Sequence, residues 1–290
     1  MSKDSNRTDI SKSFKKNFSM FVRNRSLLIG SIMILIVVLS AIFADVIAPY
    51  EYDYADMSNK LLRPSGEFLF GTDDFGRDMF SRVIYGSRIA LRVALLAAAI
   101  EIVLGVTIGM LAGYYGGTVD RILSFFADLT WSMPPIIMSM AVITVLGKGL
   151  DNVIIAIAMV SWAQYARVVR AKTQALKNMA FVETAMAFNE SNAAIMLRYI
   201  LPNIVPSIIV LASLSIPATI TSTTALSFLG LGAQPPSPDW GLALSDSMNN
   251  ISTAPWLAVY PGFALVFTVF GFNLFGEGLR DILDPRLKSR

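Results

Sequence analysis

Apolar runs separated by polar segments divide the chain into elements of membrane-spanning length. A helix needs roughly 20 residues, at about 1.5 Å each, to cross about 30 Å of hydrocarbon. The pattern predicts an all-α, polytopic membrane protein with six transmembrane helices, the first being an uncleaved span and not a secretory signal. The six runs cover residues 27–48, 89–113, 122–146, 153–166, 200–229 and 256–275.

Composition supports a membrane protein and excludes several kinds of chemistry. Hydrophobic residues make up 54% of the chain and charged residues 16%, which is too apolar a balance for one water-soluble core. Cysteine and histidine are absent, so disulfides, thiolate or imidazole metal sites and histidine-dependent catalysis are excluded. The sequence has no phosphate-binding Gly-x-x-x-x-Gly-Lys-[Ser/Thr] motif and no basic, aromatic-rich tract for nucleic acid. We therefore expect a chain that is not an enzyme and holds no metal.

The distribution of lysine and arginine predicts the orientation in the membrane. Basic residues concentrate in the N-terminal tail, in the loop 167–198 and at the C-terminus, whereas the loop 231–255 has none. Because basic segments stay on the cytoplasmic side, the loop 167–198 and both termini are predicted to be cytoplasmic, and the loop 231–255 is predicted to lie on the opposite side. The predicted organisation is a cytoplasmic tail (1–26), a first transmembrane helix (27–48), an acidic extracytoplasmic segment (49–88) and a transmembrane core (89–290).

The loop 167–198 contains a short amphipathic pattern. Apolar residues recur at helical spacing, with polar residues between them. Ser191 or Asn192 is predicted to cap a second helix, and Pro202 is predicted to bend the chain into the fifth span. The first helix lies on the membrane surface or provides a docking surface for a soluble partner. Its apolar residues are Phe181, Val182, Ala185, Met186 and Phe188.

Some residues within the predicted spans do not fit a lipid-facing helix. Glu101 lies near the middle of the second span, where a carboxylate costs roughly 2.5–3.5 kcal/mol. It lines a polar path or a subunit interface, or it is protonated and hydrogen-bonded within the bundle. Pro134, Pro135 and Pro217 are predicted to interrupt helices. The polar stretch around Pro217 forms the wall of such a path or packs between helices. This stretch comprises Ser213, Ser215, Thr219, Thr221, Ser222, Thr223 and Thr224.

The loop 167–198 resembles the EAA loop of ATP-binding-cassette (ABC) importer permeases. The residues that match this motif in identity and spacing are Glu183, Ala185, Leu201 and Pro202. Thr184 replaces the middle alanine, Tyr199 replaces an isoleucine, and Asn189 stands where the family has a glycine. Asparagine tolerates the left-handed backbone better than most residues, so the turn that the glycine makes is expected to be retained.

Further blocks are similar to the dipeptide, oligopeptide and nickel group of these permeases, in particular to the second, dipeptide-permease C-like partner. They occur in the same order along the chain and lie before, between and after the spans. The blocks are 70–78 with 81–82 and 85–88, 162 with 165–167 and 170, 226–232 with 234–236, 239–241, and 278–281 with 284–286.

The resemblance implies a permease subunit that imports di- or oligopeptides, or peptide-like solutes, across the cytoplasmic membrane of a prokaryote. Nickel or a metal chelate is the alternative cargo. A membrane-embedded carboxylate enzyme using Glu101 and Asp128, and a secondary transporter, are competing classes. The implied partners are a second permease, two ATPase subunits that bind ATP and magnesium, an extracytoplasmic solute-binding protein and the lipid bilayer.

The resemblance also implies three sets of functional residues. The ATPase-coupling set is Phe181, Glu183, Ala185, Phe188, Asn189 and Pro202. The translocation-pathway set is Glu101, Pro217, Thr219, Ser222 and Thr223. The set contacting the binding protein is Gly71, Asp73, Arg77, Asp239 and Trp240. For the glycines and charged residues of the outer segment, ordinary turns with local ion pairs are the alternative interpretation.

Overall fold

The structure, a computed structural model, describes residues 24–283, and every regular element in that range is helical. Most of the predicted N-terminal tail, together with Arg286, Lys288 and Arg290, lies outside the described residues. A π-helical turn covers Ile195–Ile200. The helices are α1 (Arg25–Ile42), α2 (Ala44–Ile47), α3 (Met79–Tyr115), α4 (Gly117–Thr130), α5 (Pro135–Leu146), α6 (Leu150–Lys177), α7 (Ala180–Ala187), α8 (Asn192–Ala194), α9 (Leu201–Phe228), α10 (Trp240–Ser247) and α11 (Trp256–Leu283).

Five continuous helical segments are long and apolar enough to cross a membrane, and the bent pair α4 and α5 gives a sixth when the two are counted as one broken span. This confirms the predicted all-helical, polytopic class, with five or six spans. The third span is not one straight helix, however, because α4 and α5 meet at 90°. Pro134 and Pro135 lack the amide hydrogens that would continue the hydrogen-bond ladder, and Pro135 begins α5.

Several helices extend beyond the predicted spans. Helix α3 begins at Met79, where the Asp78 side chain accepts a hydrogen bond from the Ser81 amide, so residues 79–88 are helical and not part of an extended outer loop. Helix α6 continues past the predicted end at residue 166 to Lys177. Hydropathy marks the apolar part of a helix and not its caps, which explains both differences.

Helix α9 passes through Pro217 without interruption, so the predicted break at this residue is wrong. Pro217 cannot donate to the Ser213 carbonyl, which would otherwise accept its amide hydrogen. A Cβ atom at Gly276 of α11 would lie 3.0 Å from that carbonyl oxygen, so α11 packs directly over the freed group. Close packing against a neighbouring helix allows a proline inside a span.

Small residues bring the central helices close together. Gly105, Gly109 and Gly113 follow one face of α3 and pack on α6. A Cβ at Gly109 would lie 2.6 Å from the Ala166 carbonyl oxygen, and one at Gly113 would lie 2.7 Å from the Arg170 carbonyl oxygen. This contact fixes α3 against α6. Following the predicted orientation, we call residues 178–200 the inner loop and segments 49–78 and 229–255 together the outer cap.

Candidate functional site

One face of α7 anchors the inner loop to the helix bundle. Val182 is 0% exposed and Ala185 is 4% exposed. Both belong to a hydrophobic cluster that includes Met110 of α3 and Val169 of α6. Because two helices of the bundle contact this face, α7 is a fixed protrusion and not a loosely attached segment.

Polar contacts hold the remainder of the inner loop. The Tyr114 hydroxyl donates to the Asn192 side-chain oxygen at 2.9 Å. Ser191 caps α8 by accepting a hydrogen bond from the Ala194 amide, which confirms one of the two predicted caps. The connection to α9 is a continuous helical segment and not the predicted bend at Pro202, which lies in the first turn of α9.

The opposite face of α7 is exposed. Phe188 is 81% exposed and Phe181 is 40% exposed, and Glu183 is exposed on the same helix. Pro202 is exposed as well. Ala185, which the sequence predicted for the docking surface, has its side chain buried against its own bundle. The exposed members of the predicted coupling set are Phe181, Glu183, Phe188, Asn189 and Pro202.

Asn189 ends α7 in the left-handed conformation that the sequence predicted. Its φ is +58°. The Asn189 amide donates to the Met186 carbonyl at 2.9 Å, and the Glu190 amide donates to the Ala185 carbonyl at 3.2 Å. These two bonds form a Schellman motif, in which glycine or asparagine occupies the left-handed position. The turn that directs the chain from α7 to α8 thus depends on residue 189.

Replacing Asn189 tests this turn. Asn189→Gly is expected to preserve hydrogen-exchange protection of residues 180–190, because glycine enters the left-handed region without strain. Asn189→Val is expected to destabilise the turn by about 1–2 kcal/mol, because a β-branched side chain clashes there. Hydrogen-exchange mass spectrometry of the purified protein measures both. Equal protection in the two variants would contradict this account.

A buried ion network holds the outer cap together. Asp73 accepts a hydrogen bond from Arg77 Nε at 2.7 Å, and Arg82 Nε lies 3.7 Å from the same carboxylate. Arg82 also donates to the carbonyl oxygens of Tyr52 and Ser237. These bonds join the two segments of the cap. The two buried guanidinium groups share the Asp73 carboxylate, and the carbonyl oxygens accept the remaining hydrogen bonds of Arg82.

Helix α10 is fixed against α3 by its first residues. Asp239 caps α10 by accepting from the Leu242 amide at 2.9 Å. The Trp240 indole donates to the Val83 carbonyl at 3.0 Å and packs over Gly86. Burial raises the pKa of the Asp239 carboxyl, and the hydrogen bond from Leu242 partly offsets this shift. The side chains of Asp239 and Trp240 are thus both hydrogen-bonded to backbone groups of this chain.

The residues predicted to contact the binding protein are not on the surface of this chain. Each member is buried inside the cap. Gly71, for example, adopts φ +73° and packs against the Trp256 indole. Turn geometry and internal ion pairs, the alternative interpretation, account for their positions. The buried residues are Gly71, Asp73, Arg77, Asp239 and Trp240.

Sequence reasoning missed a different group in the cap, which is apolar and exposed. Phe75 is 53% exposed, with the Arg77 guanidinium 4.7 Å from its ring centroid. Met57 is 62% exposed. Apolar residues within segments too polar to be spans were the available signal. The exposed group is Tyr54, Met57, Leu62, Leu69, Phe75, Met248 and Ile251.

The pathway set mostly faces the interior of this chain. Thr219 and Thr223 are 4% and 3% exposed, and Pro217 is buried. The Thr223 hydroxyl donates to the Thr219 carbonyl, one turn earlier in the same helix, at 2.9 Å. Ser222 is half-buried, and Thr221 is exposed on the other side of α9.

Glu101 is completely buried where α3, α6 and α9 meet. Neither carboxyl oxygen has a hydrogen-bond partner within residues 24–283. Thr219 of α9 is nearby but does not reach hydrogen-bonding geometry. Tyr165 of α6 is also nearby, and its hydroxyl is 2.5 Å from the Ser215 hydroxyl. Glu101 therefore lies neither against lipid nor on the surface of this chain.

Two family profiles match the chain. The profile for the binding-protein-dependent transport system inner membrane component matches residues 105–289, well over half of the chain. The chain belongs to this family. The profile for the N-terminal transmembrane domain of oligopeptide transport permease C matches residues 13–64. The permease core and the segment preceding it thus match separately.

Curated relatives match this permease over nearly its full length. The dipeptide transport system permease protein DppC of Alkalihalophilus pseudofirmus is 42% identical over 276 residues, covering 95% of this chain and 91% of the relative. The glutathione transport system permease protein GsiD of Escherichia coli O157:H7 is 43% identical over 270 residues, covering 93% of this chain and 89% of the relative. GsiD of Pectobacterium atrosepticum is 38% identical over 270 residues, covering 93% of this chain and 90% of the relative.

A solved structure has the same fold as this permease. It is a chain of the inward-facing MetNI methionine ABC transporter, with a TM-score of 0.56 and 18% identity. The match covers 70% of this chain and 97% of that chain. This confirms the permease fold of the helix bundle.

The chain is therefore the membrane-spanning permease subunit of an ABC importer and is not the catalytic subunit. It resides in the bacterial inner membrane. In such systems, ATP is used by separate ATPase subunits, and a substrate-binding protein and a partner permease complete the transporter.

Proposed function

We propose that this permease carries dipeptides, oligopeptides or peptide-like solutes into the cytoplasm. The observation that carries the proposal is 42% identity to a dipeptide permease over 95% of the chain. Relatives named for glutathione, itself a small peptide, match with similar identity. The absence of histidine and cysteine gives this chain no imidazole or thiolate ligand for bare nickel, so peptides are favoured over the metal cargo.

Uptake by the assembled transporter in proteoliposomes tests the substrate class. Labelled dipeptide is expected to accumulate in vesicles that contain ATP on the same side of the membrane as the ATPase subunits. Excess unlabelled dipeptide or glutathione is expected to compete with this uptake. Nickel uptake without dipeptide uptake would reject the proposal. Uptake that requires an ion gradient and no ATP would reject the ABC mechanism itself.

The proposed assembly contains a second, homologous permease, two ATPase subunits holding ATP and magnesium, and an extracytoplasmic solute-binding protein. Both termini and the inner loop face the cytoplasm, as the basic residues predict. ATP binding draws the ATPase subunits together, and the inner loops transmit this movement to the paired permeases. Hydrolysis resets the transporter.

The exposed face of α7 is the proposed ATPase contact. Phe188 and Phe181 present apolar surface at the side of the helix away from the bundle, with Glu183 available for a basic partner. Aromatic side chains often supply most of the affinity at protein interfaces. Val182 and Ala185, buried on the other face, make α7 rigid enough to transmit force.

The exposed group of the outer cap is the proposed contact for the solute-binding protein. These residues lie outside the spans, so lipid does not cover them. Isolated apolar side chains are common on surfaces, but seven exposed within one cap favour contact with a protein partner. Phe75, stacked beneath the Arg77 guanidinium, is the proposed central anchor.

The proposed pathway face of α9 contains Thr221 and Ser222. Thr219 and Thr223, which the sequence predicted for this face, lie in the interior of the chain. Ser222→Leu is expected to lower dipeptide uptake with little change in Tm, because the side chain is only half-buried. Thr223→Leu is expected to lower stability by about 1–3 kcal/mol, because the larger side chain overpacks a buried site. Uptake and thermal unfolding of both variants measure this difference. Full uptake by Ser222→Leu would remove residue 222 from the pathway.

A further inference from the structure

A fully buried carboxyl group occupies the junction of three helices. Glu101 on α3 is 0% exposed, and both of its oxygens lack hydrogen-bond partners among the described residues. Buried polar groups are almost always hydrogen-bonded in native proteins, because an unsatisfied group loses its bonds to water without replacement. Glu101 is an exception to this rule among the described residues.

The possible donors near Glu101 belong to different helices. Tyr165 of α6 packs its Cβ against Gly105, one helical turn from Glu101, and is itself fully buried. Its hydroxyl is already bonded to Ser215 of α9 at 2.5 Å. Thr219, one turn further along α9, carries the other nearby hydroxyl. No cationic side chain pairs with Glu101 within the part of the chain that the structure describes.

The contacts on the two sides of Glu101 differ in rigidity. Toward α6, the glycine contacts at Gly105 and Gly109 bring the backbones too close to slide without steric clash. Toward α9, the contacts are side chains, and hydroxyl groups can exchange partners by rotation. A small shift of α9 relative to α3 and α6 therefore changes the hydrogen bonds of this junction without moving α3 against α6.

We propose that Glu101 is a positioning residue that biases the permease between two arrangements of α9. In the arrangement described here, the carboxyl group is unsatisfied. In the other, a shift of α9 brings the Thr219 hydroxyl, or the Tyr165 hydroxyl released from Ser215, onto Glu101. The unsatisfied group destabilises the first arrangement and thereby favours the movement that transport requires.

This inference rests on the transport function but not on the solute. It makes a distinctive prediction, because the effects on stability and on activity have opposite signs. Glu101→Leu removes the unsatisfied oxygens and is expected to raise the Tm of the assembled transporter. The same variant is expected to lower kcat for dipeptide uptake about tenfold with little change in KM, because one hydrogen bond is lost in the second arrangement. Glu101→Gln keeps donors and acceptors and is expected to retain kcat.

The experiment compares wild type, Glu101→Gln, Glu101→Leu and Thr219→Val as full complexes in proteoliposomes and in detergent. If Glu101→Leu lowers Tm, or keeps full kcat, the proposal is overturned. It is also overturned if Glu101→Gln loses as much uptake as Glu101→Leu. Thr219→Val, which removes one proposed donor, is expected to lower kcat in the same direction.

A second readout does not depend on the substrate. Since the chain contains no cysteine, spin labels can be attached at Val103→Cys of α3 and Ile209→Cys of α9, both exposed in this chain. Addition of ATP and vanadate is expected to change the distance between the labels in wild type and in Glu101→Gln, but less in Glu101→Leu. Failure of dipeptide uptake in wild type would reject the proposed substrate, whereas an identical distance change in all variants would reject the role of Glu101.

Discussion

Phe188→Asp is expected to weaken binding of the ATPase subunits about 30-fold or more. The Phe188 ring is 81% exposed and faces away from the bundle. A central aromatic anchor at an interface is worth about 2 kcal/mol or more, and each 1.4 kcal/mol changes Kd tenfold. The charged replacement also places an unpaired carboxylate in the contact. Co-purification of the ATPase subunits and solute-stimulated ATP hydrolysis measure the effect.

Two companion variants make this result specific. Phe188→Leu keeps an apolar side chain and is expected to retain most of the affinity. Ala185→Asp buries a charge within this chain, because Ala185 is only 4% exposed, and is therefore expected to reduce the folded yield before any partner is added. Unimpaired ATP-driven uptake by Phe188→Asp would show that the inner loop does not couple the ATPase to transport.

Asp73→Ala is expected to destabilise the outer cap by about 3–5 kcal/mol, which is the usual effect of removing one partner of a buried ion pair. The variant leaves the guanidinium groups of Arg77 and Arg82 buried without their carboxylate. Hydrogen exchange is expected to increase throughout residues 49–78, and the Tm of the purified permease is expected to fall. Loss of binding to the solute-binding protein follows as a secondary effect.

Asp53→Ala is the matched control for this variant. Asp53 is an exposed carboxylate of the same cap segment and forms no ion pair among the described residues. Its replacement is expected to leave hydrogen exchange and Tm unchanged. If Asp73→Ala kept the cap folded yet abolished binding of the solute-binding protein, Asp73 would be a direct contact, and its assignment to the interior of the cap would be wrong.

The inner loop shows how far local sequence patterns extend. The spacing of apolar residues predicts α7, and the preference of asparagine for positive φ predicts the turn at residue 189, which has φ +58°. Both depend on neighbours in sequence. The pattern does not distinguish Ala185, which packs on the bundle, from Phe188, which does not. That distinction requires the positions of α3, α6 and α9.

The outer cap shows a second limit of sequence reasoning. Charged residues and glycines near a membrane surface are typical both of a partner contact and of a folded loop. Asp73 and Arg77 prove to be interior because Arg82, on α3, joins them to carbonyl groups from both cap segments. One of these carbonyls belongs to Ser237, far away in the sequence. Such a long-range bond leaves no periodic pattern.

The sequence by itself determined the helical membrane class, the absence of histidine and cysteine chemistry, the inner-loop helix and the permease family. These follow from hydropathy, residue type and local spacing, each of which is a property of short segments. Only the tertiary structure decided that α4 and α5 meet at 90°, that α9 continues through Pro217, and that Glu101 lies inside the bundle. An apolar environment provided by lipid, by a partner or by the same chain selects similar residues, so the direction in which a side chain faces depends on how the helices pack.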